Sequence, residues 1–171
     1  MTDWSLRLAK PADAEHMPAI EAAAATLFET DKDLPEIGRD TIPVETLQRY
    51  IRKGHCLVAF VGDAMAGFLV SEPFGRELHI RELSVDPAFQ RRGIGAGLLR
   101  ACMIDARNSG FRALTLTTFR DVPWNGPFYA SRGFEEVADL DAHPRLTEEL
   151  ANDEAAGLPE GNRIAMIHFL P

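Results

Sequence analysis

Apolar residues along this chain recur in two periods, about two and about 3.6 residues, and the switches between them mark the elements. Leu6 and Leu8 alternate with polar neighbours as a short strand, after which Met17, Ile20, Ala24, Leu27 and Phe28 recur at helical spacing. Val44, Leu47, Tyr50 and Ile51 mark a second helix that ends near Gly54. Residues 55–74, HCLVAFVGDAMAGFLVSEPF, are two apolar runs split by Gly62 and Asp63, the signal of a tight hairpin. ELHIRELSVDP, 77–87, is a further strand stopped by Pro87. Ile94, Leu98 and Cys102 then repeat at helical spacing, with Leu99, Met103 and Ala106 alongside, until Gly110. Leu114 and Leu116 alternate with Thr115 and Thr117 in another strand, and PWNGPFYASRGF, 123–134, places Pro127 near the start and Gly133 just past the end of a short helix. A strand at about 134–137, a weakly helical stretch at 143–157 and an apolar strand at 164–170 follow.

Strands and helices interleave, but the hairpin at Gly62 and Asp63 forces an antiparallel portion, which disfavours a purely doubly wound sheet. The pattern predicts an α/β fold with a mixed, mostly antiparallel central sheet of about six to seven strands flanked by helices. Within 77–86 the apolar positions are Leu78 and Ile80, then Leu83 and Val85, so the buried parity switches from even to odd. Simple alternation does not do this. An extra residue, a bulge near Arg81 to Leu83, restores one buried face and frees backbone groups from the ladder. An edge strand with a loosely specified face is the alternative.

At 171 residues the chain suits one domain, spanning 4–171, because two independent cores would each be small. A composition 46% hydrophobic and 26% charged is that of a soluble globular protein. MTDWSLRLAK lacks the basic stretch and apolar run of a secretory signal, and no apolar stretch approaches a membrane span. The expectation is a cytoplasmic protein without a membrane partner. Cys56 and Cys102 each sit in apolar patterns as small hydrophobes, so neither suggests a metal site. A formal net charge of −8 argues against nucleic acid and for a cationic ligand. Against that background the pair Arg91 and Arg92 stands out.

Those arginines open QRRGIGAG, residues 90–97, where a strand-like run gives way to a helix-like one. The glycines let backbone N–H groups approach a ligand, and the following helix directs its positive dipole end at the same place. A dinucleotide GxGxxG reading fails because Leu98 occupies the third glycine's position, and no Lys-Ser or Lys-Thr pair follows as in a nucleotide triphosphatase loop. A pyrophosphate cradle remains, with plain turn-forming glycines as the alternative.

QRRGIG resembles the Gln/Arg-x-x-Gly-x-Gly/Ala signature of the GCN5-related N-acetyltransferases, the GNAT superfamily, and WNGPFYASRGF resembles their later Asn, Tyr and Gly-Phe segment. The resemblance implies the GNAT fold, acetyl-CoA as donor, and a CoA pyrophosphate held at Gln90, Arg91, Arg92, Gly93, Ile94, Gly95 and Ala96. It also implies backbone pairing of the pantetheine arm with Leu83, Ser84 and Val85. Tyr129 aligns with the family tyrosine near the CoA sulfur and Asn125 with a CoA-contacting position. Phe128 joins this group, although it suits packing, as Phe134 does.

Acetyl transfer needs a neutral amine, a polarised thioester carbonyl and a proton for the departing thiolate. Tyr129 suits the last as a phenolic donor. For the base, Glu82 at the bulge stands beside the expected thioester, and His79 lies three residues earlier, where some family members put their base. Asp121 is a further candidate, although a carboxylate before Pro123 commonly serves the turn. Where peptide-terminal acetyltransferases often carry Glu in the strand after the long helix, this chain has Thr117, which weakens a ribosomal-protein substrate. The acidic run Glu29, Asp31, Asp33, Glu36 and Asp40 would draw a cationic amine, or is simply solvated charge. The long segment 141–163 suits a lid, a surface helix or a dimer contact, and a homodimer is frequent in the family. The expected acceptor is a small primary amine, an amino acid or polyamine. A protein N-terminus or lysine is the alternative enzyme reading, and a noncatalytic acyl-CoA-binding module the alternative outside enzymes.

Overall fold

In the computed structural model of the protein, which describes residues 3–30, 40–158 and 162–171, β1 (Ser5–Leu8) leads through a 3-10 turn into α1 (Met17–Ala25). The helical spacing that runs on to Phe28 is broken after Ala25, where a second 3-10 turn, Thr26–Thr30, takes over. Thr26 explains the change, since its Oγ1 donates to Ala23 O at 2.6 Å and competes with helix continuation. Then come α2 (Val44–Arg52), the hairpin of β2 (Leu57–Val61) and β3 (Ala64–Phe74), and β4 (Glu77–Val85). The long α3 (Ile94–Asn108) crosses to β5 (Ala113–Phe119), followed by α4 (Gly126–Ala130), β6 (Glu135–Glu136), α5 (Pro144–Ala155) and β7 (Arg163–Phe169).

The seven strands form one sheet in the order β1-β2-β3-β4-β5-β7-β6. Every neighbouring pair is antiparallel except β4 and β5. On one face α3 buries Ile94, Leu98, Leu99 and Cys102 in the same cluster as Leu57, Leu69, Leu78 and Leu114. On the other, α1 and α2 bring Met17, Ile20, Leu47 and Ile51 against Val58, Phe68 and Val70. α5 adds Leu146 over Ala113, Ala165 and Ile167. Two covered faces account for the near-continuous apolar runs of β2 and β3. Leu8, at the sheet edge, remains exposed. No helix of the described residues is long and apolar enough to cross a membrane.

The parity switch in β4 is a bulge. Val70 faces Glu82 while the next residue, Ser71, faces Ile80, which leaves Arg81 as the extra residue. Leu78 and Ile80 before it and Leu83 and Val85 after it consequently pack on the same cluster. A second device fixes α5 beside this point. Arg145, Glu149 and Asp153 stand four residues apart on one helical face. Arg145 donates to Glu77 at 2.9 Å and to Thr115 at 2.8 Å, Glu149 accepts from Arg81 at 2.6 Å, and Asp153 accepts from Arg163 at 3.1 Å. Arg81 is also held by Glu72 at 2.7 Å.

Arg145→Ala should therefore lower stability by about 1–3 kcal/mol, because Glu77 and the buried Thr115 hydroxyl lose a shared charged donor. A denaturant midpoint equal to that of the parent would contradict this role for α5.

Candidate active site

β4 and β5 pair at Glu77 with Ala113, Leu78 with Leu114, and His79 with Thr115, and no further. Past that point the strands part, and a cleft of about 1360 Å³ opens, walled by Ile80 to Val85 on one side and Leu116 to Phe119 on the other. Asp86 N–H bonds Ala66 O at 2.8 Å on the β3 side. By the alternation of a strand, the N–H and C=O groups of Leu83 and Val85 turn the opposite way, into the gap. Ser84, between them, is buried. The pantetheine-pairing segment expected at Leu83 to Val85 thus stands as an open strand edge inside the protein.

Gln90 and Gly95 line the same cleft. Between them Arg91 (φ 63°) and Gly93 (φ 79°) are both left-handed, a fold-back that gathers successive backbone amides in front of α3. The first-turn amides of Ile94, Gly95 and Ala96 have no intrahelical acceptor. A Cβ placed on Gly93 would meet nothing within 4 Å, so its positive φ is what favours glycine there. Amides converging at a helix N-terminus fit a diphosphate. The two arginines differ. Arg91 is exposed, whereas Arg92 forms an ion pair with Asp3 and stacks over Phe89 with its charge 5.6 Å from the ring centre.

Glu82 lines the cleft just past the bulge. Burial, and next the charge of Glu21, push its carboxyl up to about 7, while Ser84 Oγ donates to it at 2.9 Å. Glu21, on α1, lines the cleft as well, and its Oε2 accepts the Ile42 N–H at 3.0 Å. Burial raises the Glu21 carboxyl too. Nothing in the surrounding IEAAAA marks Glu21 as functional, and sequence reading missed it. Tyr129 lies in the cleft wall within a ring cluster, 5.2 Å from Phe128 and 5.6 Å from Phe134. Burial and the Glu82 charge raise its phenol well above the usual tyrosine range, so it holds its proton at neutral pH.

His79 is 2% exposed and its Nδ1 is engaged by Thr115 Oγ1 at 2.8 Å and by the Arg145 guanidinium at 3.1 Å. Burial and the charges of Arg81 and Arg145 push its pKa well below the usual histidine range, which makes it a poor proton acceptor. Asn125 Oδ1 accepts from Thr118 Oγ1 at 2.7 Å, tying the start of α4 to β5 at the cleft wall. Phe128 lines the cleft, whereas Phe134 is core. Asp121 is exposed and is not part of the cleft wall. Thr117 accepts from Arg163 at 3.2 Å. Of the acidic run, Asp40 reaches the cleft; Asp31, Asp33, Glu36 and the Glu29 side chain lie outside the described residues.

Residues 24–134 match the sequence model of the acetyltransferase (GNAT) family. The N-alpha-acetyltransferase RimI of Mycobacterium tuberculosis is 33% identical over 128 residues, 74% of this chain and 75% of that protein. PaiA N-acetyltransferase from Thermoplasma acidophilum, solved in complex with coenzyme A, superposes with a TM-score of 0.74 at 15% identity, over 97% of this chain and 98% of that one. The ribosomal-protein-S18-alanine N-acetyltransferase of Escherichia coli superposes with a TM-score of 0.63 at 17% identity, over 98% and 94%. At these identities the two structural likenesses establish the fold.

The elevated Glu82 pKa carries a stability consequence. Its folded-state value of about 7 lies above the ordinary 4.5, so the folded chain keeps a proton that the unfolded chain releases, and stability falls as pH rises through that interval. Glu82→Gln, which cannot ionise, should be more stable than the parent at pH 8 by on the order of 3 kcal/mol at most, and the difference should vanish towards pH 4.5. Denaturant midpoints of both proteins across that range measure it. A difference independent of pH would contradict the raised pKa.

Proposed function

The chain belongs to the acetyltransferase (GNAT) family, enzymes that transfer an acetyl group from acetyl-CoA to an amine, and from that premise we propose that its acceptor is a small cationic primary amine deprotonated by Glu82. The observation that carries this reading is the charge of the cleft wall. Five carboxylates, Glu21, Asp40, Glu82, Glu149 and Asp153, line it against the guanidiniums of Arg81 and Arg163. Both guanidiniums are occupied, Arg81 by Glu72 and Glu149, Arg163 by Asp153. Glu21 and Glu82 have no ion-pair partner among the described residues. A cation entering between α1 and β4 meets two desolvated carboxyls, with the Arg163 guanidinium, held by Asp153, as the nearby positive charge acting on Glu82.

Bound acetyl-CoA supplies an electrophilic thioester carbonyl and a thiolate leaving group. Gly93 to Ala96 grip its diphosphate through their amides, with Arg91 adding charge, and Gln90 stands beside them. The inward-turned amides of Leu83 and Val85 align the arm. Glu82 accepts the ammonium proton at its carboxylate. Transfer to a group with a pKa of about 7 from an amine near 10 is uphill by roughly 3 pKa units, against roughly 5.5 for an ordinary glutamate. Each unit is worth about 1.4 kcal/mol, so the raised pKa removes about 3 kcal/mol from that step. The freed amine nitrogen bonds to the acetyl carbon, the C–S bond breaks, and Tyr129, which keeps its proton on Oη, gives that proton to the departing thiolate.

A second reading, the α-amine of a protein N-terminus, is favoured by the identity with RimI. Thr117, bonded to Arg163 where that branch often carries Glu, counts against it. Steady-state turnover of acetyl-CoA over polyamines, amino acids and short peptides separates the two. The proposal expects the polyamines to be turned over best, and activity confined to peptides would replace it by the second reading.

For the catalytic roles, Glu82→Gln should lose about 10²- to 10⁴-fold in kcat and lose the rise of kcat/KM through pH 7. Tyr129→Phe should lose about tenfold or more while binding coenzyme A as the parent does. A Glu82→Gln enzyme with the parent's rate and pH profile would remove Glu82 from the mechanism.

A further inference from the structure

Resting on the acetyl-CoA reading, we propose that Asp3 and Trp4 form a positioning brace that orients the diphosphate-gripping turn and thereby sets coenzyme affinity. Trp4 Nε1 donates to the backbone oxygen of Arg92 at 2.8 Å, across 88 residues of sequence. Arg92 stands between the two left-handed residues, Arg91 at φ 63° and Gly93 at φ 79°. The carbonyl of Arg92 and the N–H of Gly93 belong to one trans peptide unit and point in opposite directions. Holding the oxygen outward on the indole therefore aims the Gly93 N–H the other way, into the cradle.

Indole N–H is a donor and nothing else, so it selects this orientation over the flipped peptide, in which the carbonyl would face the phosphate oxygens and repel them. The restraint is needed because a non-glycine residue in the left-handed region costs on the order of 1 kcal/mol. Arg92's side chain is secured on the same side, ion-paired to Asp3 and stacked on Phe89. The indole itself is seated against α3. A Cβ on Gly97 would lie 2.3 Å from Trp4 Cη2, so the third glycine of QRRGIGAG admits the tryptophan rather than the ligand. Trp4 and Asp3 touch none of the reacting atoms; they act through the turn.

The test is Trp4→Phe, which keeps a ring beside Gly97 and removes the donor. Calorimetry with coenzyme A should show Kd raised about fivefold to tenfold, the effect of one lost hydrogen bond. The KM for acetyl-CoA should rise in parallel, with kcat and the amine KM within about twofold of the parent. Asp3→Ala, a change on the exposed N-terminal segment, should give a smaller rise of the same kind, and it decides the matter if Trp4→Phe does not fold. Coenzyme A binding equal to the parent's in the folded variants overturns the brace, as does a loss confined to kcat or the amine KM. If the parent itself binds no coenzyme A, the acetyl-CoA reading falls and the brace with it; if the parent binds and Trp4→Phe binds equally, the brace alone falls.

Discussion

Two parallel strands that stop pairing halfway along are the constraint on which this site depends. β4 and β5 are joined for three residue pairs, ending at His79 and Thr115. Beyond that pair the N–H and C=O groups of Leu83 and Val85 face the gap rather than a ladder, with the Leu83 N–H reaching the Glu82 carboxyl. Buried backbone groups without partners are costly, so such an edge persists where something else completes it. The extended arm of a coenzyme is suited to do so, as an added strand would be. The bulge at Arg81 starts the divergence, and the Arg145 guanidinium clasps the last joined pair from α5. The parting is thus built from both sides of the sheet.

Electrostatics then divides the cleft into two ends of opposite character. At the turn before α3, converging amides, the helix dipole and Arg91 favour anions. At the α1 and α5 end, carboxylates outnumber guanidiniums, and those guanidiniums are already bound to carboxylates. Glu82 sits between these ends with a carboxyl poised near 7, and Tyr129 keeps its proton in part because Glu82 is near. Such a division of charge steers an anionic group to one mouth of the gap and a cationic group to the other.

Much of this was legible along the chain because it was local. The parity switch from Ile80 to Leu83 announced the bulge. QRRGIG announced the turn, and WNGPFYASRGF singled out Tyr129, which lies in the wall of the same cleft. What the sequence did not carry is what arises from chain segments far apart. Glu21 sits in an alanine-rich helix and gains meaning from its place opposite Glu82. Arg145, Glu149 and Asp153 read as one face of a weak helix until Glu77, Arg81 and Arg163 meet them. Arg92 reads as a phosphate ligand, yet its guanidinium pairs with Asp3, and Gly97, which closes QRRGIGAG, makes room for Trp4. His79 shows the same limit, since its residue type suits a base while burial beside two guanidiniums does not.

If one coenzyme molecule is received by backbone amides in two separate stretches, Leu83 to Val85 and Gly93 to Ala96, both stretches respond to the same binding event. Amide NMR of the folded protein during titration with coenzyme A tests it directly. The Leu83, Val85, Gly93, Ile94, Gly95 and Ala96 resonances should shift together along one saturation curve. A titration that saturates while those six amides stay in place would contradict it.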